Sequence, residues 1–299
     1  ILIIYSGRSI AAVTGNSAVF LDHKIVMQSM MPKIADQAKP DDIQIINLLR
    51  YNAILKMAQQ MSAHGRGGTI LIVPEKQDWA QSIKAPVRYT GGANFLNIES
   101  MQLPLPKDEN DSIDQVTKMI DEMNLPHQQD WINSWQKIQQ QCNRIARLTA
   151  VDGALVMNYD RYVYCFGAKI RALNINATLT EMQIINPFES GSRVEGKITA
   201  IQGTRHQSAA QFAYDRPGSI AIAASTDGNV TFFTRDPQKD ALIALQQAEL
   251  ILLHEDFGGS LWNLSLFAEQ GWFEKKDEKK GGNYLSAVIQ WMKATLKRE

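Results

Sequence analysis

Asp152, Arg205 and His206 are the residues whose types and surroundings could do chemistry. Asp152 precedes Gly153-Ala154 at the start of an apolar run, and an aspartate before glycine is first of all a turn former. Gly203-Thr204-Arg205-His206-Gln207-Ser208-Ala209-Ala210 is richer text. Its glycine permits close backbone approach, its threonine hydroxyl can cap a helix, and Arg205 and His206 follow in the first turn. Free N–H groups at a helix start favour an anion there, and a guanidinium presents a planar fork that matches phosphate oxygens. An ordinary N-cap beside a surface Arg-His pair accounts for the same octapeptide equally well. A third segment, Gly65-Arg66-Gly67-Gly68-Thr69, superficially suggests a phosphate loop. It follows a helix and opens a strand, the reverse of the order such a loop needs, and so reads as a helix C-cap with a tight turn.

These residues depend on the elements that carry them. Ile1–Tyr5, Ile10–Thr14 and Ala18–Leu21 are short apolar runs split by Ser6-Gly7 and Gly15-Asn16, which predicts a β-meander. Ile45, Leu48, Leu49, Leu55, Ala58 and Met61 recur at helical steps between Asp41 and Met61, and Thr69–Pro74 reads as a buried strand. A helix is expected over Ile113, Val116, Ile120 and Met123, and another over Asp130–Leu148, with its tryptophans in a core stripe. Ala154–Asn158 and Tyr162–Phe166 form a hairpin around Tyr159-Asp160. After the Gly203 junction a helix runs to Pro217-Gly218, and Ile220–Ala224 and Val230–Phe233 are strands. Leu242, Leu245, Ala248 and Leu252 align on a helix over Asp240–His254. Lys275–Lys280 is a solvated loop, and Leu285, Ile289, Met292 and Leu296 give a last helix its apolar seam.

Composition narrows the classes. At ~150 residues per domain, 299 residues suit two domains, and an apolar fraction of 44% is ample for cores. Pro104, Pro106 and Lys107–Asp111 mark the best boundary. The expected division is an N-terminal α/β unit over 1–106, a second unit over 107–270, and a C-terminal loop and amphipathic helix over 271–299. Lysine plus arginine equals aspartate plus glutamate at 31 each, so no basic excess points to nucleic acid as a partner. Cys142 and Cys165 show no pairing pattern, which suits a reducing, cytoplasmic setting. No apolar run reaches the ~20 residues of a membrane span. The opening Ile1-Leu2-Ile3-Ile4 has no initiator Met and no basic n-region, so it reads as a strand entered mid-chain.

Taken together, Asp152-Gly153-Ala154 at a strand start, a hairpin, and Gly203-Thr204-Arg205-His206 at a helix start resemble the catalytic core of the diadenylate cyclases. The two motifs of that family are Asp-Gly-Ala and Arg-His-Arg, and the resemblance covers about Ile138 to Leu253. It implies an α/β fold, a mixed β-sheet flanked by helices, with a smaller N-terminal α/β domain of sensor type. It implies condensation of two ATP molecules into cyclic di-AMP with release of two pyrophosphates, a Mg²⁺ or Mn²⁺ cofactor, and a homodimer that brings two nucleotides face to face. Asp152 would hold the metal near the attacking hydroxyl, beside Gly153 and Ala154. Gly203, Thr204, Arg205, His206, Gln207 and Ser208 would line the phosphates, and Gly167, Ala168 and Ile170 the adenine. Gln207 stands where the family has its second arginine. Ser225-Thr226 stands where it has an acidic pair, and these hydroxyls would contact the terminal phosphates instead. Both departures suit an alternative, a catalytically degenerate cyclase-fold sensor that binds ATP or cyclic di-AMP.

Overall fold

The computed structural model describes residues 2–6, 9–14, 17–20, 44–75, 78–90, 125–159, 162–171, 182–185, 193–196, 201, 203–236 and 241–249. The expected meander forms β1 (Leu2–Ser6), β2 (Ser9–Thr14) and β3 (Ser17–Phe20), an antiparallel three-stranded sheet. The helical text that follows becomes α1 (Gln44–Ala63), and Gly68–Val73 becomes β4, buried along its whole length. After a 3-10 turn at Trp79–Ser82 come two short strands, β5 (Ile83–Lys84) and β6 (Val87–Arg88). Next is α2 (Leu125–Ala146), with Ile138, Cys142 and Ile145 buried at helical spacing, and a 3-10 turn at Arg147–Ala150. The hairpin is β7 (Ala154–Asn158) and β8 (Val163–Ile170). β9 (Met182–Ile185) and β10 (Arg193–Gly196) pair antiparallel. The chain continues as α3 (Thr204–Asp215), β11 (Ile220–Ala224), β12 (Val230–Asp236) and β13 (Ala241–Leu245).

Ten of these strands make one mixed sheet, in the order β10-β9-β13-β12-β11-β4-β7-β8-β5, with β6 also on β8. β4 lies parallel to β7 and antiparallel to β11, and β13 lies parallel to β9. This is an α/β fold, a mixed sheet flanked by helices. Its construction differs from the expected division, because β4 comes from the 1–106 segment and is nevertheless central in the sheet. β4 has no polar side to leave in water, so it must be covered on both edges and both faces. The proposed boundary at Pro104–Asp111, the helix over Ile113–Met123 and the text beyond 249 lie outside the described residues.

β13 is a second correction. Its residues Ala241-Leu242-Ile243-Ala244-Leu245 were expected in a helix, yet they form a fully buried strand between β12 and β9. A continuous apolar run fits both periods, and here sheet pairing decides.

Alternation along the strands assigns the two faces. Leu71, Val73, Ala154, Val156, Ala221, Ala223 and Phe233 share a core with Ala209, Ala210, Phe212 and Ala213 of α3. Alanines on both sides of that contact let α3 lie close on the sheet. A Cβ on Gly68, of opposite parity to Leu71, would meet Met61 of α1 and Thr149 at 2.8–2.9 Å, so α1 covers the other face.

Candidate functional site

The pairings bring both motifs to one end of the sheet. Thr69 is opposite Ala154 in the parallel β4–β7 pair and opposite Ala223 in the antiparallel β4–β11 pair. That rim therefore gathers Gly67 and Gly68, Asp152 and Gly153, and the exit of β11 at Ala224 and Ser225. α3 begins over the same rim. The guanidinium of Arg205 lies on Gly67, where a Cβ would stand 2.8 Å from Nη1 and 2.9 Å from the Ala224 carbonyl oxygen. Asp152 and Arg205 share this rim, and the Arg205 charge adds to the larger effect of Lys169 in lowering the Asp152 pKa.

Asp152 has its side chain 84% exposed, and it is not idle. The Lys169 ammonium, near the end of β8, pairs with its carboxylate and donates to its backbone carbonyl at 3.2 Å. That ammonium is the main reason the Asp152 carboxyl sits below its ordinary range. Gly153 holds φ +126°, and a Cβ on it would stand 2.4 Å from the Gly167 carbonyl carbon. Only glycine fits at Gly153, and the fit sets β8 tight against the turn that presents Asp152. Ala154 and Ala168 pair across the two strands and are buried. Gly167 lies beside Val151 and Val87, the two large hydrophobic residues left exposed among those described. Ile170 is half-buried and pairs with Ile83.

The first turn of α3 departs from expectation in several details. Gly203, at φ +89°, is the N-cap, and no side chain among the described residues caps the helix, so Thr204 is an exposed first helical residue instead. His206 turns inward: it is 8% exposed and packs edge-on against Phe233, ring centroids 6.3 Å apart. Burial pushes its pKa down, against the opposing pull of Asp227, while Arg205 adds to the lowering. The reason lies in helical geometry, since the residue after Arg205 is turned about 100° around the helix and here meets the sheet. Gln207 donates its side-chain amide to the Ile201 carbonyl at 3.0 Å, and Ser208 donates to the Thr204 carbonyl at 2.8 Å. Both side chains brace the helix start.

Beyond β11, Ser225 closes the turn to β12. Its N–H bonds the Asn229 carbonyl at 3.0 Å, and its hydroxyl accepts the Asn229 N–H at 3.1 Å. Thr226 and Asp227 are exposed at the tip of this turn. Hydrogen bonds from Ser225 and from its own backbone hold the Asp227 carboxyl below its ordinary range. Glu249 accepts the Val230 N–H at 2.7 Å, while burial pushes its own pKa up.

Gly67 reads from the sequence only as part of a turn, and it is the surface on which Arg205 rests. Lys169, with Arg171, reads as a cation that could reach in from the hairpin in place of the missing second arginine, and Lys169 is the partner of Asp152. On the other side of the rim, His64 accepts the Arg66 N–H at Nδ1, 3.2 Å, and its Nε2 lies 3.0 Å from the Thr149 hydroxyl. Since that hydroxyl already donates to the Ala146 carbonyl at 2.6 Å, His64 carries its proton on Nε2.

No protein-family model and no curated protein matches the chain.

Among the described residues no three His, Cys, Asp or Glu side chains stand together as a metal site. Asp152 alone suits a cation that arrives with phosphate oxygens, because Mg²⁺ is commonly held by one or two carboxylates plus the substrate's phosphates. The donor set therefore fits a shared site and not a protein-only cage.

Proposed function

We propose that this rim binds a nucleoside triphosphate and that the chain is a diadenylate cyclase, condensing two ATP into cyclic di-AMP and pyrophosphate across a homodimer. The observation that supports it is the meeting of Asp152 and Arg205 on one rim, from motifs that are unremarkable singly. Arg205, exposed at the start of α3, offers its fork and the free N–H groups of the first turn to phosphate. The exposed Val87 and Val151, on either side of the buried Gly167 beside Asp152, offer an apolar surface to a base. A divalent cation, when bound, would neutralise charge on the phosphates, with Asp152 as its protein ligand. In each half of the reaction a 3′-oxygen forms a bond to the α-phosphorus of the other nucleotide. The bond from that phosphorus to pyrophosphate breaks, and the hydroxyl proton leaves to solvent. The residues named align and neutralise; they do not bond covalently to substrate.

Incubation with ATP and Mn²⁺ followed by nucleotide separation is the test. Cyclic di-AMP should form, and Asp152→Asn should reduce it by orders of magnitude while the protein stays folded. Equal product from the variant would remove the role given to Asp152.

A second reading has its own support. Gln207 is occupied with Ile201 and Asp152 with Lys169, an arrangement suited to a sensor that binds ATP or cyclic di-AMP without turnover. Ligand-dependent thermal stabilisation with no product distinguishes it, since ligand at ~100 times its Kd adds ~2.7 kcal/mol.

A further inference from the structure

We propose that Lys169 is a phosphate-binding residue held in reserve by Asp152, so that one ammonium serves the carboxylate when the rim is empty and the polyphosphate when it is filled. This rests on the nucleotide reading of the rim and names the residue that takes the place of the missing second arginine.

The backbone of Lys169 is fixed. Its neighbour Ala168 pairs with Ala154, and Lys169 itself pairs with Lys84 in β5. The side chain is 42% exposed, so only its flexible stem need move. Among the described residues two contacts hold the ammonium, both on Asp152, and an ammonium has three donors. Lys84 is exposed directly across the strand pair, and like charges opposite one another are unfavourable. An anion arriving between Arg205 and Lys169 relieves that repulsion and offers more acceptor oxygens than one carboxylate. As the ammonium shifts to phosphate, the Asp152 carboxylate is released to the cation that accompanies the nucleotide. Lys169 thereby couples the two halves of the site: phosphate must be present before Asp152 is available.

The test is a double-mutant cycle on binding of inorganic tripolyphosphate in EDTA, measured by calorimetry at fixed salt. Asp152→Asn frees Lys169 and should tighten binding about tenfold, the factor that ~1.4 kcal/mol corresponds to. In a Lys169→Met background the same change should gain less than about twofold, a factor that ~0.4 kcal/mol corresponds to. Lys169→Arg should preserve the gain and, with unchanged thermal melting, shows that position 169 tolerates substitution. An equal gain with and without Lys169 would mean that the carboxylate merely repels the anion, and the proposal falls while the nucleotide reading stands. The converse failure is separable. If tripolyphosphate obeys the cycle and ATP with Mg²⁺ binds no better than tripolyphosphate, Lys169 keeps its role and the nucleotide reading falls. No binding by any variant overturns both.

Discussion

The guanidinium of Arg205 lies on the backbone of Gly67, a residue far from it in sequence, with Nη1 only 2.8 Å from where a Cβ would be. The helix start and the β4 entry are therefore shaped to one another. Gly67→Ala adds a methyl that meets both Nη1 and the Ala224 carbonyl, at a residue with φ +65°. The left-handed backbone alone costs ~1–2 kcal/mol for a non-glycine residue. The side chain of Arg205 can yield, whereas the carbonyl of Ala224 cannot. We expect a loss of stability of at least that size in urea unfolding, together with weaker ATP binding because Arg205 is pushed aside. ATP affinity equal to wild type in the folded variant would show that Arg205 binds from another position.

Gly153 is under a stricter constraint. A methyl there stands 2.4 Å from the Gly167 carbonyl carbon, so β7 and β8 must separate at the turn that presents Asp152. Forcing an extra methyl into packed surroundings costs ~1–3 kcal/mol, and the unfavourable φ of +126° adds to it. Gly153→Ala should therefore lower the urea midpoint more than Asp152→Asn, whose carboxylate is mostly in solvent. A reversed order would mean that the β8 backbone gives way freely.

Much of this was legible in the sequence, and the failures have physical causes. The meander, α1, β4, the β7–β8 hairpin, α3 and the β11–β12 pair follow from local periodicity and turn residues. The position of β4 between β7 and β11 leaves no local trace, because strand order is a long-range pairing. β13 was misread because Leu242, Leu245 and Ala248 satisfy helical steps as well as burial on a sheet. The direction of His206 was missed for a related reason. A helix start written as Arg-His does not say which of the two faces the sheet, and Phe233, which receives the ring, lies on a later strand.

Gln207 separates the family comparison from the geometry. An arginine in this place would be expected to add a phosphate contact, but the Gln207 amide runs back to the Ile201 carbonyl. Gln207→Arg should change ATP affinity by less than about twofold, well short of the tenfold that ~1.4 kcal/mol would give. Gln207→Ala should cost ~0.5–1.5 kcal/mol of stability by removing that hydrogen bond. Calorimetric titration of ATP into both proteins, at equal Mg²⁺ and salt, is the measurement. A tenfold gain from arginine would mean that the side chain at 207 leaves Ile201 when phosphate is near.

His206 gives the fold a pH dependence whose sign is fixed by burial. Its folded pKa lies below the ordinary 6.5, since desolvation by the sheet outweighs the pull of Asp227 and Arg205 opposes protonation as well. As pH falls below 6.5, the unfolded chain takes up a proton at this position that the folded chain refuses. Stability must therefore fall with pH in that window, by at most ~1.4 kcal/mol per pH unit for one proton, until the folded pKa is reached. His64, also lowered by burial and by Arg66, contributes in the same direction. Glu249 acts oppositely, because its raised pKa makes the folded state more favourable as it protonates. Replacing the ring by His206→Gln removes one contribution and leaves the other two. Urea midpoints at pH 7.5, 6.5 and 5.5 should then show a shallower decline than wild type, with the difference opening only below 6.5. Parallel curves for the two proteins would mean that the ring at 206 titrates as freely when folded as when unfolded. That result would contradict its burial against Phe233 and would return His206 to the exposed first turn with Arg205.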